Sequence, residues 1–244
     1  MLFDNASGAN GFNFFWIVLF LSSLLLIFIS VWSQIEIQKL QERVKELEDE
    51  RETDPFTGLL NYRGFQSALL RTVYPDLDRA CDKGRSPNAF LFFIDMDNLK
   101  ALNDTLGHEA ADKVILLLAS LLESSLRDND IVARRSGDEF LIVLMDMSLL
   151  QSIEILRRIS RDFQERSRSI LENSSNGEKL TASFSAGGVS LNDEKLSFSF
   201  SRDQRQTLRT EDMINKINTS DMLSQQAKRA GKKRLRIKNK EYEL

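Results

Sequence analysis

From Phe12 to Trp32 the chain reads FNFFWIVLFLSSLLLIFISVW, without one charged residue. In lipid the backbone N–H and C=O groups have no water to bond, so an apolar run of about 20 residues has one stable solution there, a membrane-crossing helix. Trp16 and Trp32 lie toward its two ends, where indole rings favour the membrane–water boundary. A cleaved secretory signal describes the run less well. No Lys or Arg precedes it, it is too long for a signal core, and no small-residue cleavage site follows. Lys39, Arg43 and Lys45 come soon after it. The positive-inside rule then places everything beyond Ser33 in the cytoplasm. Residues 1–11 are expected as a short extracytoplasmic N-terminus, 12–33 as the membrane span, and no extracytoplasmic sensor is expected.

The stretch 34–53 reads as a signalling helix. Ile37, Leu40, Val44 and Leu47 are spaced 3, 4, 3, an a/d seam among charged residues that favours a parallel coiled-coil dimer. Two heptads are too short to be stable alone, but they continue a membrane helix. Asp54-Pro55 should end that helix, because the residue before proline avoids the α region. The rest of the chain excludes several classes. Cys81 is the only cysteine and His108 the only histidine, so neither a disulfide framework nor a His/Cys zinc site can be built. The formal net charge of -3 offers no reason to expect a nucleic-acid partner. Any metal must be held by oxygen, as magnesium and calcium are.

After Pro55, helices are expected over 61–73, 103–126, 148–171 and 212–232. Strands are expected at NAFLFFIDMD (88–97), on both sides of a turn in VARRSGDEFLIVL (132–144), in LTASFSAGGVSL (180–191) and at RLRI (234–237). Residues 192–210 read as a mobile surface loop and 239–244 as a tail. The mixture indicates an α/β (α+β) sheet with helices packed on it. The turn at Ser136-Gly137-Asp138-Glu139 is unusual in placing two carboxylates side by side at a hairpin tip, a repulsion that a cation would relieve. The strand at 88–97 ends in Asp95 and Asp97, expected on opposite faces. Lys100 follows, then Asn103 and Asp104 at a helix start and Asp112 further along it. A carboxylate at a strand end, a lysine in the next turn and free amides at a helix start are parts of a phosphate and Mg²⁺ site. Each part also has a plain structural explanation.

SGDEF preceded by FFIDMDNLKALNDTLGHEAAD resembles the GGDEF family of diguanylate cyclases. DPFTGLLNYRGF resembles the family's D-x-L-T-G-L-x-N-R opening, and SDMLSQQAKRAGKKR its closing A-D-x-A-L-Y-x-A-K-x-x-G-R-N-R helix. The four motifs occur in the family's order across about 54–238. The resemblance implies a central, mainly antiparallel sheet flanked by helices, like the palm of nucleotidyl cyclases. It implies a bacterial inner-membrane enzyme that condenses two GTP to cyclic di-GMP and pyrophosphate between the facing domains of a homodimer. By motif position, Mg²⁺ would be held by Asp95, Asp138 and the backbone carbonyl of Met96. Asp138 would also be the general base for the 3′-hydroxyl, a role at odds with metal ligation, which lowers basicity. Glu139 would be a second acid near the metal. Lys100 would stabilise phosphate charge, Lys228 and Lys232 would grip the β and γ groups, and Gly137 would let backbone approach the nucleotide. Asn103 and Asp112 would read guanine, with His108 in the same pocket or packed structurally. Arg127 and Asp130 match the family's inhibitory R-x-x-D site for product.

Departures from the family pattern are Ser136 for the first glycine, Lys232 for an arginine, Ala111 and Ser185 for glycines, and Asn98-Leu99 in a turn that is often Phe-Phe. Ser136 is expected to reduce activity without abolishing it. The alternative reading is a catalytically impaired domain acting as a GTP or cyclic di-GMP receptor or scaffold. With so little outside the membrane, the input is expected from a partner protein, a membrane property or local concentration.

Overall fold

The structure is a computed structural model that describes residues 8–85, 88–174, 181–191, 202–238 and 240–244. It divides into two units, residues 1–50 and 51–244. The first unit is helix α1, Gly8–Glu50, 43 residues without a break. Trp16–Val44 within it is long and apolar enough to cross a membrane, with a mean hydropathy of 2.3 and none of that window buried. A helix that is apolar all round needs a non-aqueous surrounding rather than one packed face. The coiled-coil seam residues Ile37, Leu40, Val44 and Leu47 are likewise exposed, at 53 to 60%.

The second unit is built on a six-stranded sheet. Its strands are β1 (Ala89–Asp97), β2 (Ile131–Ser136), β3 (Glu139–Met145), β4 (Ser183–Ser190), β5 (Arg234–Ile237) and β6 (Lys240–Glu243), in the order β2-β3-β1-β4-β5-β6. All neighbours are antiparallel except β4 and β5, which run parallel. β1 sits centrally because its apolar run lets both faces be covered. One face, with Phe92, Ile94 and Met96, packs with Phe140, Ile142 and Phe184 against α5 (His108–Ser125) and α6 (Leu149–Ser174) through Val114, Leu118, Leu156 and Phe163. The other face, with Leu91, Phe93, Leu141 and Val143, meets Phe65, Leu69, Val73, Met213 and Ile217. Those residues belong to α2 (Tyr62–Ala68), a π-helical segment (Leu69–Val73) and α7 (Arg202–Arg229). α7 lies directly on β4. A Cβ at Gly187 would come within 2.0 Å of the Ser220 carbonyl oxygen, so only glycine admits this contact.

Local signals explain most boundaries, and several expectations are corrected. Asn61 caps α2, its side chain accepting from Gly64 N–H at 2.9 Å. The helix expected to stop at Val73 instead continues through the π segment into α3 (Tyr74–Asp82). Pro75 is the second residue of α3, directly after the π segment. The single helix expected over 103–126 is two, α4 (Leu99–Leu106) and α5, broken at Gly107 with φ +80°. That left-handed-side conformation is routine for glycine. Residues 202–210 of the expected loop are the start of α7, and 192–201 lie outside the described residues. The expected tail adds edge strand β6 to the sheet.

Candidate active site

β1 and β2 end where β3 begins, and the hairpin between β2 and β3 turns there through Gly137 and Asp138. β1 residues Asp95 and Asp97 both face α7, whereas Ile94 and Met96 face α5 and α6. Residues two apart share a face of a strand, so the expectation that the two aspartates diverge is corrected. Asp95 lies opposite Glu139 in the β1–β3 register. The backbone N–H of Met96 donates to the carbonyl of Asp138 at 3.2 Å. Asp95, Asp138 and Glu139 therefore gather at one edge. Burial pushes the Asp95 carboxyl up to about 6; Lys228 pulls it down, and Asp138 and Glu139 push it up again.

Lys228 reaches this cluster from the last turn of α7, its Nζ 2.5 Å from an Asp95 carboxylate oxygen. It stands where a cation is needed. Lys232 lies in the turn after α7, its Nζ bonded to the Asn98 side-chain oxygen. Lys100, the second residue of α4, is exposed. Across the α4–α5 break, His108 Nδ1 is 3.1 Å from the Asn103 side-chain oxygen. These two candidate nucleotide contacts form one local pair, and Asp112 is exposed one turn along α5 from His108.

The acidic turn is braced from two sides by residues that the motif reading passed over. Arg134 donates to the Gly137 carbonyl from Nε at 3.0 Å and from Nη2 at 2.9 Å. Its Nη1 pairs with Asp54 at 3.1 Å, and its guanidinium stacks 4.7 Å from the Phe56 ring centroid. Asp54 is itself held by the N–H and hydroxyl of Thr57, at 2.8 and 2.6 Å. Arg135 lies between Glu139, at 3.4 Å, and Asp221 of α7, at 3.3 Å. Ser136 lies beside the Glu139 carboxylate, to which its hydroxyl donates at 2.8 Å. An arginine two residues before an acidic turn and an Asp-x-x-Thr turn at the domain entry were visible signals, but nothing local links them.

The oxygen-only donor set fits a hard divalent cation. Mg²⁺ is commonly held by one or two carboxylates, with substrate phosphates and water completing the shell. Asp95, Asp138 and the Met96 carbonyl meet that description. Among the described residues no group of three or more His, Cys, Asp or Glu side chains forms a metal cage, and none is needed for such a site.

Arg127 and Asp130 share the turn into β2, a separate place. Asp130 accepts from Arg127 N–H at 3.0 Å and from Met145 N–H at 2.9 Å, so its carboxylate ties β2 to the end of β3. It also lines a cleft of about 420 Å³ with Arg79, Lys83 and Arg85. Arg127 instead borders a smaller apolar hollow with Leu150 and Ile155.

The domain is thus a mixed sheet with carboxylates at one end of its central strands, Lys228 beside them and helices on both faces. Residues 51–234 match the family described as diguanylate cyclase, GGDEF domain. The chain belongs to that family. It is 35% identical over 114 residues to the probable diguanylate cyclase DgcJ of Escherichia coli, covering 46% of this chain and 21% of that one. It is 27% identical over 201 residues to the diguanylate cyclase VdcA of Vibrio cholerae, covering 82% and 51%. The chain thus spans between a fifth and a half of these relatives' lengths. Among solved structures, a microbial GGDEF domain interacting with bis-(3′,5′)-cyclic di-GMP superposes with a TM-score of 0.55 at 27% identity, covering 76% of this chain and 98% of that one.

Proposed function

We propose that this chain is a membrane-anchored diguanylate cyclase that condenses two GTP molecules into cyclic di-GMP, releasing two pyrophosphates. The observation that carries this reading is the gathering of Asp95, Asp138 and Glu139 at one sheet end with Lys228 on Asp95. Such a site suits phosphoryl-type transfer, where positioning and charge neutralisation supply most of the catalysis. Asp95, Asp138 and the Met96 carbonyl would hold Mg²⁺, which when bound would neutralise phosphate charge. Lys228 is already a cation at that edge, and with substrate present it would exchange Asp95 for phosphate oxygens. Lys232 and Lys100 would join it on the triphosphate. The Asn103–His108 pair and Asp112 would take the guanine, with the Asp112 carboxylate accepting from N1–H and the 2-amino group. The proton of the 3′-hydroxyl must also leave; the family resemblance implies Asp138 as its acceptor, a role that metal ligation weakens.

Each domain supplies one half of a two-GTP site, so the reaction requires two chains face to face. Residues 12–33 would anchor each chain with its catalytic domain in the cytoplasm, and the 34–53 seam would set the pairing. Arg127 and Asp130 would bind product as the inhibitory site, with Arg79, Lys83 and Arg85 lining the cleft beside Asp130.

The test uses the full chain in nanodiscs with GTP and Mg²⁺, with nucleotides read by mass spectrometry and Asp138→Ala as control. Cyclic di-GMP from the wild type alone supports the reading. No product, with GTP or cyclic di-GMP still bound tightly, would make the domain a receptor.

A further inference from the structure

Asp97 is the one charged side chain among the described residues with no exposed surface. Burying a carboxylate is expensive unless its oxygens are bonded. Among the described residues no Lys or Arg side chain pairs with it. It accepts instead from the Ser183 hydroxyl at 2.7 Å, the Ser185 hydroxyl at 2.9 Å and the backbone N–H of Lys233 at 3.3 Å. If this position only had to end β1, an uncharged side chain would meet the same need at lower cost.

The third donor shows what the carboxylate holds. Lys232 and Lys233 have φ of 64° and 49°, two consecutive non-glycine residues in the left-handed region. Such a residue is strained and persists only when its surroundings over-determine it. Asp97 fixes the Lys233 N–H. The Lys233 carbonyl accepts from Leu244 N–H at 2.8 Å, and the Lys233 ammonium reaches Gln164 at 2.8 Å. Lys232, thus turned, reaches the Asn98 side chain, next to Asp97 in sequence. Lys228, one helical turn earlier, meets Asp95.

We propose that Asp97 is a positioning residue for phosphate binding: its buried carboxylate clamps the strained turn after α7 and so sets Lys232 and Lys228 against the end of β1. The proposal rests on the reading of those two lysines as the β,γ-phosphate grip. It also gives Ser185 a purpose. Where the family usually has glycine, this chain supplies an additional donor to the clamp.

The test compares the full-length wild type in nanodiscs with Asp97→Ala, Asp97→Asn and Ser185→Gly. Equilibrium binding is measured for GMP and for a GTP analogue with a methylene bridge between the α and β phosphates, which cannot turn over. Amide hydrogen exchange is followed at 230–236, with 108–125 as internal reference. Asp97→Ala should weaken the triphosphate about tenfold, GMP less than about twofold, and speed exchange at 230–236 about tenfold. Asp97→Asn and Ser185→Gly should shift both readouts in the same direction by less. Equal weakening of both ligands, or unchanged exchange at 230–236, overturns the proposal. Should Asp97→Ala not fold, the other two variants carry the same criteria. A wild type that does not prefer triphosphate over GMP refutes the lysine reading instead, while exchange at 230–236 still decides whether Asp97 holds the turn.

Discussion

Arg134 is the place where a single side chain supports the acidic turn from behind. Replacing it with lysine keeps one positive charge but removes the planar fork, which alone can bond the Gly137 carbonyl and Asp54 together. Both side chains of the Asp54 pair are well covered, 13% and 20% exposed, so screening by water takes only part of the interaction away. Asp54 keeps its two bonds from Thr57, so no buried charge is left bare. Losing the Gly137 bonds and weakening the pair should then cost about 2–3 kcal/mol. In a domain of this size that lowers Tm by roughly 5–10 °C. Freed from Arg134, the turn should also lose order, and turnover should fall about tenfold with little change in KM for GTP. Scanning calorimetry and product formation of the full chain measure both. Pairing Arg134→Lys with Asp54→Asn in a double-mutant cycle should give a coupling of about 1 kcal/mol or more. The Asp54 carboxyl is raised by burial but lowered further by Thr57 and Arg134, and lies net below its ordinary 3.8. A depressed folded value means its stabilisation is present above 3.8 and lost as pH falls through the folded value. The Tm gap between wild type and Asp54→Asn should therefore hold at neutral pH and close in acid. A Tm for Arg134→Lys within about 1 °C of wild type, with unchanged turnover, would show that Arg134 does not hold the turn.

Asp95 behaves in the opposite sense. Its folded value of about 6 is raised, so without divalent cations it costs stability above that pH, on the order of 3 kcal/mol at most, and the cost disappears as pH falls toward the unfolded value. The Tm of Asp95→Asn relative to wild type should accordingly drop as pH is lowered through about 6, and a gap independent of pH would count against the clustered carboxylates. Asp112→Asn should cut the preference for GTP over ATP about tenfold to a hundredfold, read by competition binding; retained preference would remove Asp112 from guanine recognition. Leu40→Lys should abolish cysteine-free chemical crosslinking through the seam and reduce turnover with it, because a charge at an a/d position opposes pairing; unchanged crosslinking would move the dimer contact elsewhere.

Features that depend only on neighbours along the chain were legible before any fold was known. The uncharged run from Phe12 to Trp32 needs no partner to read as a membrane-length helix. The alternation in VARRSGDEFLIVL, with glycine at the tip, specifies a hairpin whose turn must carry Asp138 and Glu139. The family resemblance implied that Asn103 and His108 share a pocket, and the structure places their side chains 3.1 Å apart. The expected bounds failed where the single helix over 103–126 is broken at Gly107 and where the helix expected to stop at Val73 runs on into α3. Tertiary structure alone decided which partner each polar group received. Lys228 meets Asp95 across 133 positions, Arg134 meets Asp54 across 80, and Asp97 takes its hydroxyls from Ser183 and Ser185, 86 and 88 positions away. These pairings follow from strand register and from the docking of α7 onto β4. No period within a segment encodes them, because the energy that selects them is gained only when distant segments close around a shared core.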